Sequence, residues 1–356
     1  VEKSKERLAS FVLLGVVALI CVPLMEVAIR LVAPQPQSWF DLYYKPAGAK
    51  LFAIMPNLDK LIDTGDTRWH VYTDENGFRR GKAEVAPKDA PVIMVLGDSF
   101  GFAYGVSYED SFAGMIDVAT GTTARVLNAS VPGYGPLQYR KRLDELLERG
   151  IVPDAVLIPV YAGNDFNDCV WDKDVIVEDG LLGGRPPGFK GWFKLNTHLY
   201  RIFSKAYHTF GKAPQQDLLL DLYRPAAWDK EFLKKAETVM GAELLAMKET
   251  LDARGIPVFS AFIPTVESVV DAAGKENPPV LKDLSLQLPR EKYVKLVTAA
   301  GLDYVDLTPY LAEAGDKDNY FTWNRHFSPA GNRVAADQIL AHWATLAPVL
   351  KGQRAR

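Results

Sequence analysis

The chain has 356 residues, 48% of them hydrophobic and 24% charged, and a formal net charge of −3. This is the composition of a folded globular protein with enough chain for a large core, and it lacks the basic excess that a nucleic-acid partner demands. Its two cysteines, Cys21 and Cys169, lie far apart and form no CxxC or Cys/His cluster, so neither a disulfide framework nor a metal site is expected.

Residues 1–7 carry a small positive excess from Lys3, Lys5 and Arg7. Residues 8–25 then run without a charge, about the minimum length for crossing a hydrocarbon core. Positive charge before such a run favours a cytoplasmic N-terminus. A cleaved signal peptide is the competing reading. No small-x-small site closes the run, and the helical pattern continues through Glu26 and Arg30. Residues 1–32 are therefore expected to be an uncleaved membrane anchor, with the rest of the chain outside the cytoplasm.

Residues 33–90 are expected to be a linker and lead-in. Pro34, Pro36 and Pro46 suggest extended chain, and Asp74–Arg80, D-E-N-G-F-R-R, has the character of a hairpin tip. Trp39, Phe40, Tyr43 and Tyr44 fit either an interfacial aromatic belt or a surface docked on the following domain.

From Val92 a regular alternation begins. Apolar runs at 92–96, 125–129, 155–160, 257–262 and 304–307 have the continuous character of strands buried on both faces. Helical periodicity falls near 107–119, 136–149, 228–254, 289–300 and 329–347. Strands alternating with helices of this length predict a flavodoxin-like three-layer α/β/α domain over 91–350, with a parallel sheet of about five strands. Residues 166–227 interrupt the alternation without a clear strand, apart from a predicted helix near 198–210, and are placed to wall a cleft.

Three of the strand ends carry small and polar residues: Gly97-Asp98-Ser99, Asn128 to Gly135, and Gly163-Asn164-Asp165. The carboxyl ends of parallel strands share one edge, so these loops converge. A fourth polar block, Asn324 to Asn332, precedes the last helix and contains His326. On the residues alone, Asp98 and Asp165 are turn acceptors and Asn128 is a strand-end cap. His70 and His342 are expected to be structural, and His198 and His208 solvated. Trp171, Trp192 and Phe193 suit either a stacking surface or interior packing of the insertion.

Taken in order, the four blocks resemble those of the SGNH (GDSL-like) hydrolases: Gly97-Asp98-Ser99-Phe100, Gly133, Gly163-Asn164-Asp165, and His326 followed by S-P-A-G-N. The resemblance covers roughly residues 74–345. It implies a nucleophile at Ser99 with His326 as its base. It also implies an oxyanion hole from the N–H groups of Ser99 and Gly133 and the side-chain amide of Asn164. No cofactor is implied. The family usually carries an acid two or three residues before the histidine, where this chain has Asn324 and Trp323. Three expectations follow: a Ser-His site oriented by Asn324 or a backbone carbonyl, a substitute acid such as Asp318, or weakened catalysis.

With the anchor, the resemblance implies a single-pass protein of the bacterial inner membrane whose domain faces the periplasm or exterior. The expected activity is a serine esterase or deacylase acting on O-acyl, chiefly O-acetyl, esters of an envelope or exported glycan. Two rivals are an O-acyltransferase to a polysaccharide and a catalytically weak accessory subunit of a membrane complex. The partners would be an acylated carbohydrate or small ester, and the membrane through residues 8–25.

Overall fold

The computed structural model describes residues 2–35, 40–46, 51–63, 67–82, 86–170, 175–184, 188–210, 218–322 and 324–343. The chain opens with helix Glu2–Val32, whose 31 residues give it a length of about 47 Å. Its apolar window, Ala9–Val32, is long enough to cross a membrane, and none of it is buried against the rest of the protein. It is, among the described residues, the one helix with those properties.

A short antiparallel pair follows, β1 (Tyr43–Tyr44) with β2 (Ala53–Ile54). Next come β3 (Asp59–Asp63), β4 (Arg68–Thr73) and β5 (Arg79–Arg80), with β4 antiparallel to both β3 and β5. The doubly wound part contributes β6 (Val92–Val95), β7 (Arg125–Asn128) and β8 (Ala155–Tyr161). A small hairpin, β9 (Val177–Glu178) with β10 (Leu181–Leu182), lies inside the insertion. Strands β11 (Val258–Ile263) and β12 (Asp303–Asp306) complete the set.

One sheet of eight strands runs in the order β12-β11-β8-β6-β7-β5-β4-β3. Its first five members are mutually parallel, as the continuous apolar runs predicted. Numbered along the chain, those five have the order 2-1-3-4-5 of flavodoxin-like sheets, and the switch point falls between β6 and β8. Val95 pairs with both Asn128 and Leu157, so β6 and β7 end level while β8 runs on past them to Tyr161.

Strand residues divide alternately between two cores. Val92, Met94 and Leu96 face one side, packed with helices Pro136–Glu148, Glu231–Asp252 and Leu288–Ala299. Ile93 and Val95 face the other, packed with helices Phe112–Thr120 and Pro329–His342. Two helical layers on a mostly parallel sheet give the α/β/α architecture that the sequence predicted.

The expectation of a linker over 33–90 is corrected. Strands β3 to β5 extend the sheet beyond β7, and Ile62, Trp69 and Val71 belong to its core. The reason is visible in β4, where Trp69, Val71 and Thr73 turn inward while Arg68, His70 and Tyr72 do not. That is the period-two pattern of a strand with one buried face. The hairpin tip at Asp74–Arg80 is present, with Asp74 accepting from the N–H groups of Asn76 and Phe78. Phe40 and Tyr43 are buried in the core, so they dock on the domain and form no exposed belt; Trp39 lies outside the described residues. The helix expected near 198–210 is His198–Phe210.

Candidate active site

Strand β6 must turn sharply where it leaves the sheet. A Cβ on Gly97 would sit 2.6 Å from Pro159 Cγ, so only glycine lets the chain pass β8 there. Asp98 then caps helix Ser99–Phe102, its carboxylate accepting from Phe100 N–H at 2.8 Å. This fixes Ser99 at the first helical position. Gly101 backs onto the next strand end, where a Cβ would fall 2.4 Å from Ser130 Oγ. Asn128 ties the two loops together, donating from Nδ2 to Gly101 C=O at 2.8 Å.

His326 arrives from 227 residues away in sequence, and its Nε2 lies 2.8 Å from Ser99 Oγ. Its Nδ1 lies 3.0 Å from the main-chain carbonyl of Asn324. A carbonyl only accepts, so Nδ1 carries the proton and Nε2 is free to accept from the Ser99 hydroxyl. The side chain of Asn324 does something else: its Oδ1 accepts from the His326 N–H at 2.9 Å, and its Nδ2 is buried without a partner. Arg325 makes the geometry possible by taking φ +64°, which curls the Asn324 carbonyl back to the ring two residues on. Its guanidinium is held by Glu267. Asp318 is exposed and does not replace the absent acid; its main-chain carbonyl accepts from the Ser328 hydroxyl. Trp323 lies outside the described residues.

Two rings pack on the imidazole, Tyr104 at 4.4 Å and Phe100 at 4.9 Å between centroids. Burial among them pushes the His326 pKa down to about 4, and the Asn324 carbonyl only partly opposes this. The ring is therefore neutral, and competent as a base, throughout the neutral range.

The second and third strand ends carry the other nominated residues. Gly133 has φ +89°, a conformation other residues adopt only with strain, while a Cβ there would meet Leu182 and Phe52 at an ordinary 3.7 Å. Backbone conformation, and not crowding, is what calls for glycine. Among the described residues, no backbone acceptor takes the N–H of Ser99 or Gly133. Asn164 caps helix Asp165–Asp168 through its carbonyl and donates from Nδ2 to Asp168 Oδ2 at 2.5 Å. One of its amide hydrogens is thus committed, which fixes the direction of the other.

Beneath these loops lie three carboxyls, Asp98 and Asp165 fully buried and Asp168 partly so. Asp165 accepts from Tyr161 N–H at 2.9 Å and from the Tyr139 hydroxyl at 3.0 Å. Burial, the neighbouring carboxylates adding to it, raises Asp98 to about 7 and Asp165 well above the usual range. Burial likewise raises Asp168 to about 6. Asp98 and Asp165 are the loop braces that the sequence suggested.

One residue at this site escaped sequence reasoning. Arg79 on β5 is buried and donates to the carbonyls of Phe102, Ala103 and Val106, and also to that of His70. Its guanidinium also lies 5.0 Å and 4.8 Å from the Trp69 and Phe102 ring centroids. It thereby grips the chain just after the Ser99 helix, where Ala103 takes φ +67°. The other histidines are away from this centre: His70 pairs with Asp59, His342 with Tyr310 and His198 with Gln35, while the His208 side chain is outside what is described.

Residues 227–356 match the family model described as "SGNH hydrolase-like domain, acetyltransferase AlgX". Over those residues the chain is similar to an SGNH hydrolase-like domain. The match includes His326 and ends short of Ser99, whose place in the SGNH-like domain rests on the 2.8 Å contact between them. No curated protein matches the chain. Among solved structures, a catalytic mutant of Axe2, an acetylxylan esterase from Geobacillus stearothermophilus, is 14% identical with a TM-score of 0.41, over 77% of this chain and 100% of that one. The lipase/acylhydrolase from Enterococcus faecalis is 15% identical with a TM-score of 0.39, over 71% of this chain and 94% of that one. The psychrotrophic esterase EstA from Pseudoalteromonas sp. is 14% identical with a TM-score of 0.37, over 70% and 95%. Likenesses this remote identify neither a substrate nor a mechanism.

Proposed function

We propose that this chain is a membrane-anchored serine esterase or deacylase that removes O-acyl groups, chiefly O-acetyl, from an envelope or exported glycan. The observation that carries the reading is the Ser99 Oγ to His326 Nε2 contact of 2.8 Å at the carboxyl edge of a parallel sheet. Ser99 Oγ attacks the ester carbonyl while Nε2 takes its proton. The developing oxyanion is received by the N–H groups of Ser99 and Gly133 and by Asn164 Nδ2. Collapse expels the sugar alcohol, which takes the proton back from the imidazolium. Water then attacks the acyl-enzyme by the same route and releases the acid. Helix Glu2–Val32 crosses the inner membrane once and leaves the domain on the periplasmic or exterior side.

Transfer of the acyl group to a polysaccharide hydroxyl instead of water is the second reading, favoured by the acetyltransferase in the description of the matching family model. Purified full-length protein is tested with an aryl acetate and a serine-directed fluorophosphonate. Ser99→Ala is expected to lower hydrolysis at least about a thousand-fold and to abolish labelling. Equal hydrolysis by wild type and variant would sink the proposal. A wild type that neither labels nor turns over favours an accessory role. Adding a glycan acceptor separates the first two readings, since only transfer yields acylated glycan.

A further inference from the structure

The catalytic reading leaves helices Gly188–Asn196 and His198–Phe210 of the insertion unused. They carry three large apolar side chains in water: Phe189 is 77% exposed, Trp192 53% and Phe203 63%. Phe189 stacks with both Trp192 and Phe193, so the exposure on the first of these helices is a cluster and not a scatter of single residues. Clusters of this kind mark an interaction surface, whereas isolated exposed apolar residues need no explanation.

What covers this surface is indicated by what holds it. The Glu26 carboxylate accepts from the N–H groups of His198 and Leu199, at 3.0 and 2.9 Å. It thus caps the second of these helices from outside the insertion. Arg30 pairs with Glu26 and donates to Asn196 C=O at 2.6 Å. Gln35 N–H donates to His198 Nδ1, and Arg201 donates to Gln35 C=O. The helix pair is therefore latched to the long helix at Glu26, the residue directly after the uncharged run ends at Met25. In a spanning helix that is where hydrocarbon gives way to headgroups. Tryptophan and phenylalanine on an amphipathic helix are the side chains suited to that depth. Among the described aromatics nearer the anchor in sequence, Phe40 and Tyr43 do not serve it, since both are buried in the domain.

We infer that these two helices lie in the lipid interface, with Phe189, Trp192 and Phe203 entering the boundary between headgroups and acyl chains. The bilayer covers this face. The inference rests on the reading of Glu2–Val32 as a membrane span.

Full-length protein is reconstituted into phosphatidylcholine vesicles with and without nitroxide-labelled phosphatidylcholine. The Trp192→Phe variant isolates the emission of Trp192 by difference. A fluorophore on Cys21, the exposed cysteine of the long helix, reports on the anchor, since Cys169 is buried. The nitroxide lipid is expected to quench both the Cys21 probe and at least half of the Trp192 emission. Phe203→Trp in the Trp192→Phe background provides a second probe, with the same expectation. A quenched Cys21 probe beside unquenched Trp192 overturns the interfacial seat alone, whether Trp192 then proves open to aqueous acrylamide or shielded by a second copy or another protein. An unquenched Cys21 probe overturns the span, and the seat with it.

Discussion

At the scale of single residues, the distinctive point is that His326 is oriented by a peptide carbonyl where relatives of this pattern offer a carboxylate. A carbonyl fixes the tautomer but adds no negative charge to favour the imidazolium. Burial, with no carboxylate on Nδ1 to oppose it, leaves the ring hard to protonate, its pKa pushed down to about 4. The working form is neutral, so activity is lost only as pH falls through that value. The acid limb of kcat/KM is expected near pH 4, with none near the ordinary histidine value of 6.5. The pH profile of aryl acetate hydrolysis measures this. The division of labour within Asn324 gives a second test. Asn324→Ala removes the amide but keeps the carbonyl on Nδ1, so kcat should fall no more than about tenfold, against a thousand-fold or greater loss for His326→Ala. A loss as large in the Asn324 variant would show that the amide, and not the main chain, orients the base. The sequence exposed the missing acid and held a backbone carbonyl among its alternatives, but could not choose between them, because a main-chain acceptor leaves no trace in the identity of the side chain.

Among the elements, the five parallel strands were legible because burial on both faces demands an unbroken apolar run. The three antiparallel strands before them were not, since prolines around 34–46 suggested open chain and β4 shows only a single alternating face. Arg79 was invisible for a related reason. A charged residue in a short strand suggests solvent, and only the folded loop at 102–106 supplies the carbonyls that make its burial tolerable. Through that contact the antiparallel extension supports the loop that follows Ser99. Arg79→Met keeps the stem and removes the donors, leaving buried carbonyls unpaired. It should cost about 2–4 kcal/mol of stability by denaturant titration. It should also reduce kcat more than it raises KM, as loss of a positioning contact would. An Arg79→Met protein with wild-type stability would mean the clamp contributes nothing.

For the molecule as a whole, the buried carboxyls set a direction for stability against pH. The folded state raises Asp98 to about 7 and Asp168 to about 6, and burial also raises Asp165 well above the usual carboxylate range. It therefore keeps protons that the unfolded chain releases near pH 4, and stability falls as pH rises from about 4 through 7. His326, with its lowered value, works in the opposite sense over about pH 4 to 6.5, but it is one group against three. Melting temperature should be lower at pH 8 than at pH 5, and Asp165→Asn should shrink the difference. An unchanged difference in that variant would remove Asp165 from the account. The short path from helix to domain has a different kind of consequence. Only residues 33–39 separate Val32 from the buried Phe40, a span of at most about 29 Å when fully drawn out. With the helix in a bilayer, the cleft works on a short leash at a nearly fixed height. If its substrate is the glycan proposed above, such an enzyme could not roam along the polymer; the polymer would have to be drawn past it, and the modification pattern would be set by how fast and how close the chain emerges.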